Sequence, residues 1–202
     1  MAIIRRLEKI LLAVALLGVS GTRLEAGITA TERRVHVCMA RTTETLLAMN
    51  RAQPIASGMF EAIGITIEWH HDRRSPVCAA VQDQAILVTV ITRTYELDHP
   101  GALAYAQPYG GKHIYIFYDR VRETAPPGRV PFLLAHVLAH EITHILQGTC
   151  RHSVSGVMKA QWNTKDYAEM ERKPLPFTEL DVKLIQLGLE ARKLTIGRSR
   201  HR

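Results

Sequence analysis

Hydrophobic and polar residues alternate along three segments of the chain, and this period of two predicts β-strands. The segments are RRVHVCM at residues 33–39, ITIEW at 65–69 and HIYIFYD at 113–119. Each places apolar side chains on one face of an extended chain, and the third could lie at an edge of its sheet. Residues 85–91, AILVTVI, form an apolar run interrupted only by Thr89, which is typical of a strand covered on both faces.

The segment that follows the first strand has the features of a helix. We predict it over residues 44–63, with Thr42 or Thr43 as the N-terminal cap. Pro54 is expected to kink this helix, because proline has no N–H for the helical hydrogen bonds.

Two further helices are predicted in the C-terminal half. One begins near Pro131, because proline is tolerated at the first helical position, and runs to Gln147, just before Gly148. The other lies in FTELDVKLIQLGLEARK, where Thr178 can cap the first turn. Its apolar residues recur at helical spacing, at Val182, Ile185 and Leu189.

The N-terminal residues have the layout of a secretory signal peptide. MAIIRRLEK carries three basic residues and precedes the apolar run ILLAVALLGV. That run has about ten residues, whereas a membrane span needs roughly twenty, so no stable span is expected after processing. Cleavage after Gly21 or, preferably, after Ala26 is expected, and an uncleaved membrane anchor is the alternative.

The remaining length is enough for one domain. A chain of 202 residues with 47% hydrophobic composition is too short for two full-sized domains once its ends are subtracted. We therefore expect a signal peptide at 1–26, a domain at 27–190 and a basic flexible tail at 191–202. The formal net charge of +7 sits largely in that tail, without the interleaved aromatic residues of a recognition element, so no nucleic-acid partner is expected.

Secretion would place the cysteines in an oxidising compartment. Of Cys38, Cys78 and Cys150, we expect the first two to form a disulfide and the third to remain a thiol. Three unpaired thiols are the alternative.

The predicted helix before Gly148 contains the sequence HEITH. His140 and His144 are four residues apart, so their imidazoles lie on one face of the helix and can bind one metal ion. Glu141 is rotated by about 100° from His140 and is free to act as a general base toward the attacking water. A helix that buried these side chains without a metal would leave polar groups unpaired, at about 1–3 kcal/mol each.

The stretch HEITHILQGTCRH resembles the metzincin zinc peptidases, in which the helix ends at a glycine and a third histidine reaches the metal. SVSGVM resembles the loop before their methionine turn, and FTELDVKLIQLGL resembles the C-terminal helix of matrixin-type members. The resemblance implies that His140, His144 and His152 bind Zn²⁺, that Glu141 is catalytic and that Met158 packs beneath the metal. It also implies an α+β, zincin-like fold, with a small twisted mixed sheet packed on an N-terminal helix and the active-site helix.

The spacing departs from the usual HExxHxxGxxH pattern. Gly148 comes one residue later than in that pattern and His152 two residues later. One extra helical residue rotates the exit by about 100°, and one extra loop residue can carry the chain back to the ion. Ala160 stands two residues after Met158, where some metzincins have a tyrosine ligand, so no tyrosine ligand is expected there.

Other polar residues are also candidate ligands. Glu169 and Glu171 are the competing candidates for the third ligand, as in gluzincins, but their segment resembles a short exposed turn. His136 is expected to be a hydrogen-bonded core histidine, because three histidines spaced over three helical turns cannot converge on one tetrahedral ion. His70 and His71 are expected in an exposed turn, because adjacent residues point in opposite directions on an extended chain.

These observations together predict a zinc-dependent peptidase that is secreted or located in the cell envelope and acts on peptide or protein substrates. Two alternatives are a zinc-binding envelope protein without catalytic activity and a gluzincin-type peptidase with a glutamate as its third ligand.

Overall fold

The computed structural model describes residues 33–40, 42–95, 99–109 and 111–199. The predicted signal peptide lies outside these residues. The described part contains five strands: β1 (Arg34–Met39), β2 (Thr66–His70), β3 (Ile86–Ile91), β4 (Ala104–Ala106) and β5 (His113–Phe117). It also contains six α-helices: α1 (Leu46–Glu61), α2 (Pro76–Ala80), α3 (Tyr118–Thr124), α4 (Val130–Gln147), α5 (Thr164–Met170) and α6 (Glu179–Ser199).

The strands form one mixed sheet in the order β2-β1-β3-β5-β4. The first four of these are parallel, and β4 pairs antiparallel with β5. Strand β3 is therefore at the centre of the sheet. The expected cover on both faces is only partial, because Ile86 and Val88 are buried whereas the other four residues of β3 are half-buried. The alternation suggested that HIYIF, which is β5, could be an edge strand, but the short strand β4 pairs with its outer side. Strand β4 itself lies in a segment that was expected to be a loop.

Helices α1 and α4 pack against each other and cover one face of the sheet. The alternating apolar residues of the strands point toward these helices and are buried, among them Val37, Ile86, Val88, Ile114 and Ile116. Helix α4 is buried along almost its whole length, because α6 and β4 also contact it. This mixed architecture confirms the predicted α+β fold with α4 at its centre.

Three helices, α2, α3 and α5, were not predicted. Helix α3 directly follows β5, and α5 occupies the segment expected to be an exposed turn. Asn163 and Asp166 explain α5: the Asn163 side chain accepts from the N–H groups of Lys165 and Asp166, and Asp166 accepts from the N–H of Asn163. This reciprocal cap satisfies the N–H groups of the first turn, which a short helix needs most.

Helix α6 crosses the end of α4 at close range. A Cβ at Gly188 would lie only 1.8 Å from the carbonyl oxygen of Leu146, so only glycine fits at this crossing. The helix extends to Ser199 and so includes the first part of the segment expected to be a flexible tail. There the guanidinium of Arg192 donates to the carbonyl oxygen of Gln84 at 3.0 Å. Residues 200–202 lie outside the described residues.

The predicted disulfide is present between Cys38 in β1 and Cys78 in α2, with the two Cα atoms 6.1 Å apart. Cys150 is an exposed free thiol. None of the helices within the described residues is both long enough and apolar enough to cross a membrane.

Candidate metal centre and active site

Helix α4 brings three of the predicted site residues together. His140, Glu141 and His144 are all buried near its C-terminal end. Gly148 has a φ of 66°, a left-handed conformation that ends the helix. The chain then turns back, and one ring nitrogen each from His140, His144 and His152 lie within 4.8 Å of one another. The two additional residues in the spacing therefore do not prevent the third histidine from reaching the other two.

The hydrogen bonds of the helical histidines determine which ring nitrogen carries the proton. Nδ1 of His140 lies 2.9 Å from the carbonyl oxygen of Val157, and Nδ1 of His144 lies 2.9 Å from that of Thr149. Because a carbonyl oxygen only accepts, each Nδ1 must carry a proton, and in a neutral ring each Nε2 then keeps a lone pair. The two Nε2 atoms are only 3.0 Å apart. Two lone pairs at this distance repel each other unless a cation neutralises them, so the pair fits a metal ion.

The surroundings keep these imidazoles neutral. Burial is the main cause that lowers the pKa of His140 to about 3, and the proximity of His144 adds to it. Burial also lowers the pKa of His144 to about 4, against the opposing effect of the Thr149 carbonyl. Partial burial, followed by the charge of Arg151, lowers the pKa of His152. The neutral imidazole is the form that binds a metal, so all three residues are in the state that a metal site requires.

The loop that carries His152 is held by a buried carboxylate from α6. Asp181 is fully buried, and its Oδ1 accepts from Arg151 Nη1 at 3.0 Å and from Ser153 Oγ at 2.6 Å, the two chain neighbours of His152. Its Oδ2 accepts from the backbone N–H and the hydroxyl of Thr178 at 3.0 and 2.6 Å. Desolvation opposes ionisation of Asp181, but the hydrogen bonds from Ser153 and Thr178 outweigh it and hold its pKa below the usual range. Asp181 therefore positions His152, although it does not touch the candidate metal ligands itself.

The segment containing Met158 packs directly against the histidines. Met158 is fully buried, and its carbonyl oxygen accepts from the N–H of Ser153 at 2.7 Å. The preceding residue, Val157, supplies the carbonyl that orients His140. The resemblance to a methionine turn thus corresponds to a buried turn that supports the site through its backbone.

Glu141 lies next to the edge strand β4. Its carboxylate accepts a hydrogen bond from the backbone N–H of Ala106. The backbone N–H of Gln107 donates to the carbonyl oxygen of His113 in β5. Because successive N–H groups of a strand point in opposite directions, the N–H of Ala106 points away from β5 and is available to Glu141. Burial raises the pKa of Glu141 to about 8, against the smaller effect of this hydrogen bond. A cation at the histidines would favour the ionised form, which places this carboxyl near the range where a general base works at neutral pH.

A cleft of about 530 Å³ opens at these side chains. Residues 101–106, the three histidines, Glu141 and residues 159–162 line it. Trp162 and Tyr167 also face this cleft but were not identified from the sequence. The ring of Trp162 contacts His140 edge-on, with centroids 5.6 Å apart. No spacing pattern marks these two aromatic residues, because they reach the cleft through the turn after Met158 and through α5.

The competing candidates for the third ligand lie elsewhere. Glu171 forms an ion pair with Arg129, with Nε and Oε1 3.0 Å apart. Among the described residues, neither Glu171 nor Glu169 belongs to the group of potential ligand atoms around His140 and His144.

His136, one turn before His140, is a fully buried core histidine with both ring nitrogens satisfied. Its Nδ1 donates to the carbonyl of Phe132 at 2.7 Å, and its Nε2 accepts from the N–H of Leu175 at 2.9 Å. This is the role that the sequence predicted for it.

The fold is similar to two solved structures, an archaemetzincin and a zinc-dependent peptidase. The archaemetzincin of Methanopyrus kandleri superposes with a TM-score of 0.53 at 16% sequence identity, over 78% of this chain and 97% of that chain. A zinc-dependent peptidase of Methanocorpusculum labreanum superposes with a TM-score of 0.51 at 14% identity, over 75% of this chain and 99% of that chain. At these identities the likeness shows a common zincin-like fold. No protein-family model and no curated protein matches the sequence.

Proposed function

We propose that this chain is a zinc-dependent peptidase of the metzincin class, with His140, His144 and His152 as zinc ligands and Glu141 as the catalytic residue. The observation that carries the proposal is the geometry of His140 and His144. The Nδ1–H of each ring donates to a backbone carbonyl oxygen, and this leaves their two Nε2 atoms, each with a lone pair, only 3.0 Å apart. Such a pair is unfavourable without a cation. The likeness in fold to an archaemetzincin and to a zinc-dependent peptidase supports zinc as that cation.

A bound zinc ion supplies a Lewis acid that polarises the scissile carbonyl and acidifies a water molecule. Glu141 accepts a proton from the attacking water and passes it to the leaving amine. The N–H of Ala106 holds one side of its carboxylate, and burial keeps the pKa of this group high enough for it to bind a proton during the reaction. His140 and His144 keep their orientation because the carbonyl groups of Val157 and Thr149 accept from their Nδ1 atoms.

The substrate that we propose is a peptide in extended conformation. Strand β4 is the sheet edge that lines the cleft, and an extended peptide can add to such an edge through main-chain hydrogen bonds. The sheet edge that would bind the peptide is therefore β4 and not HIYIF, the segment that the sequence had suggested for an edge. The order of α4, the His152 loop, the Met158 turn and α6 supports matrixin-type members as the group to compare within the class.

We also propose that the protein acts outside the cytoplasm. The disulfide between Cys38 and Cys78 supports this location, because such bonds persist in oxidising compartments. The signal-peptide pattern at residues 1–26 is the second reason.

The test is a comparison of Glu141→Gln with the wild type. Glutamine keeps the size of the side chain but cannot take the proton, so peptide cleavage should fall at least about 100-fold while the zinc content stays that of the wild type. Glu171→Gln is the matched control. The carboxylate of Glu171 forms an ion pair with Arg129 away from the histidines, so this variant should cleave peptides as the wild type does. Zinc is measured by elemental analysis, and cleavage with a quenched peptide library with and without a chelator.

Equal cleavage by Glu141→Gln and the wild type would overturn the mechanism. A wild-type protein that holds zinc at the three histidines but cleaves no peptide would instead support the zinc-binding protein without catalytic activity.

A further inference from the structure

A second cluster of metal-binding side chains lies at the opposite edge of the sheet. Strands β1 and β2 run parallel with His36 opposite Glu68 and Cys38 opposite His70. Partners in this register point to the same face, so His36, Glu68 and His70 meet on the side turned away from the buried face that contains Val35 and Val37. One possible ligand atom from each of the three lies within 4.8 Å of the others.

One ring nitrogen of His36 makes two close contacts, and a single proton cannot satisfy both of them well. Nδ1 of His36 lies 3.0 Å from Oε2 of Glu68 and 3.1 Å from Nε2 of His70. A single N–H on His36 can point well at only one of these two acceptors, which leaves the other contact without a proton. In a tetrahedral zinc site with bonds of about 2.0–2.1 Å, neighbouring ligand atoms are about 3.3 Å apart. Both observed separations are close to that value.

We propose that His36, Glu68 and His70 bind a second divalent cation of the type that prefers imidazole ligands, and that this cation is Zn²⁺. Two imidazoles and one carboxylate are a donor set that zinc accepts, and a partly exposed site leaves room for a water ligand. The side chains of His36 and Glu68 are 21% and 28% exposed, so an ion can enter from solvent without unfolding the sheet.

The cluster has one built-in competitor. The guanidinium of Arg34, two residues before His36 on the same face of β1, forms an ion pair with Oε1 of Glu68. A cation at the cluster must share that carboxylate with Arg34. We therefore expect the second site to bind more weakly than the three-histidine site, and to tighten when Arg34 is removed.

The sequence predicts an exposed turn that contains both His70 and His71. In the structure His70 is the last residue of β2, and the residue that completes the cluster, His36, is 34 positions earlier on β1. The cation would link the edge strand β2 to β1, its only partner in the described sheet. Since the cleft is bordered by β4 at the other edge, this second ion would stabilise the fold and take no part in cleavage.

The experiment counts zinc equivalents in the purified full chain after it has been stripped with a chelator. Zinc is titrated in competition with a chromophoric chelator, and folding of every variant is checked by circular dichroism. The wild type should bind two equivalents, and His36→Gln and His70→Gln should each bind one while keeping peptide cleavage. His71→Gln is the matched control, because it removes an adjacent histidine outside the cluster, and it should still bind two.

Arg34→Ala should increase the zinc affinity of the second site, because it removes the competitor for Glu68 and keeps all three ligands. Loss of an exposed ion pair of about 0.2–1 kcal/mol should make the weaker equivalent bind up to about fivefold more tightly. If His36→Gln and His70→Gln retain every equivalent that the wild type binds, the second site does not exist. If instead the three histidines bind no zinc, the wild type binds a single equivalent and His36→Gln binds none. The titration therefore distinguishes failure of the second site from failure of the proposed three-histidine site.

Discussion

The most specific consequence of the structure concerns Asp181, which shares no element with the candidate ligands but holds the loop of His152. We consider the substitution Asp181→Asn. It keeps the shape of the side chain while replacing a charged oxygen, which only accepts, with an NH₂ group, which only donates. Whichever way the amide is placed, this NH₂ faces donors: either Arg151 and Ser153, or the N–H and hydroxyl of Thr178.

The expected loss of stability follows from these contacts. Removing one partner of a buried ion pair costs about 3–5 kcal/mol, and hydrogen bonds to a charged group contribute about 1.5–3 kcal/mol each. Arg151 is 33% exposed and can recover part of its hydration, and the two hydroxyl groups can rotate to accept from the new amide. We therefore expect Asp181→Asn to lower the free energy of unfolding by about 3 kcal/mol, at the low end of that range.

The same change should weaken the metal site. Arg151 and Ser153 flank His152, so their release lets the loop move, and residues that orient metal ligands in this way typically affect metal affinity by about 10- to 100-fold. Ser153→Ala removes one of the four hydrogen bonds and should have a smaller effect on stability, about 1 kcal/mol.

Two measurements test this: urea unfolding of the metal-free protein and zinc affinity by competition with a chelator. Asp119→Asn is the matched control. Asp119 also accepts several hydrogen bonds, from Thr94 and from the N–H of Arg120, but none of these partners lies in the His152 loop. It should lose stability without a change in zinc affinity. An Asp181→Asn protein with wild-type zinc affinity would show that His152 does not depend on this carboxylate.

Two further predictions concern the ligands directly. His152→Ala should weaken zinc binding strongly, whereas Glu169→Ala and Glu171→Ala should leave the affinity nearly unchanged; the reverse pattern would indicate a glutamate ligand. Burial lowers the pKa of His140 to about 3 and of His144 to about 4, from 6.5, so below pH 6.5 the unfolded chain binds protons that the folded metal-free protein does not. The stability that these two histidines contribute to the metal-free protein should thus be fully present above pH 6.5 and fall toward pH 4, by roughly 1 kcal/mol per pH unit for each histidine, as measured by urea midpoints. Glu141 acts in the opposite sense, because its pKa is raised from 4.5 to about 8, so two histidines outweigh one carboxyl and a net decline toward acid pH remains. A double His140→Ala, His144→Ala variant should show a shallower decline, and an equal decline would contradict this assignment.

Elements with a buried face were predictable from the sequence alone. Strands β1, β2 and β5 alternate, β3 is apolar except at Thr89, and α6 repeats its apolar residues at helical spacing, because each must bury one side against the same core. The pair His140 and His144 was predictable for the same reason, since four residues along a helix return to the same face. These features depend on residues close together in the chain.

Features that depend on distant partners were decided by the tertiary structure. Strand β4 has three residues and exists because it pairs with β5, so neither its presence nor the inner position of HIYIF could be read from alternation. A strand's alternation reports which face is buried and carries no information about which strand lies beside it.

The candidate sites show the same division. The reach of His152 depends on Asp181, about 30 residues later, and the cluster of His36 and His70 depends on the register between two strands. Sequence spacing determines which side chains share a face of one element. Contact between elements depends on how those elements pack, and that is determined only when the whole core forms.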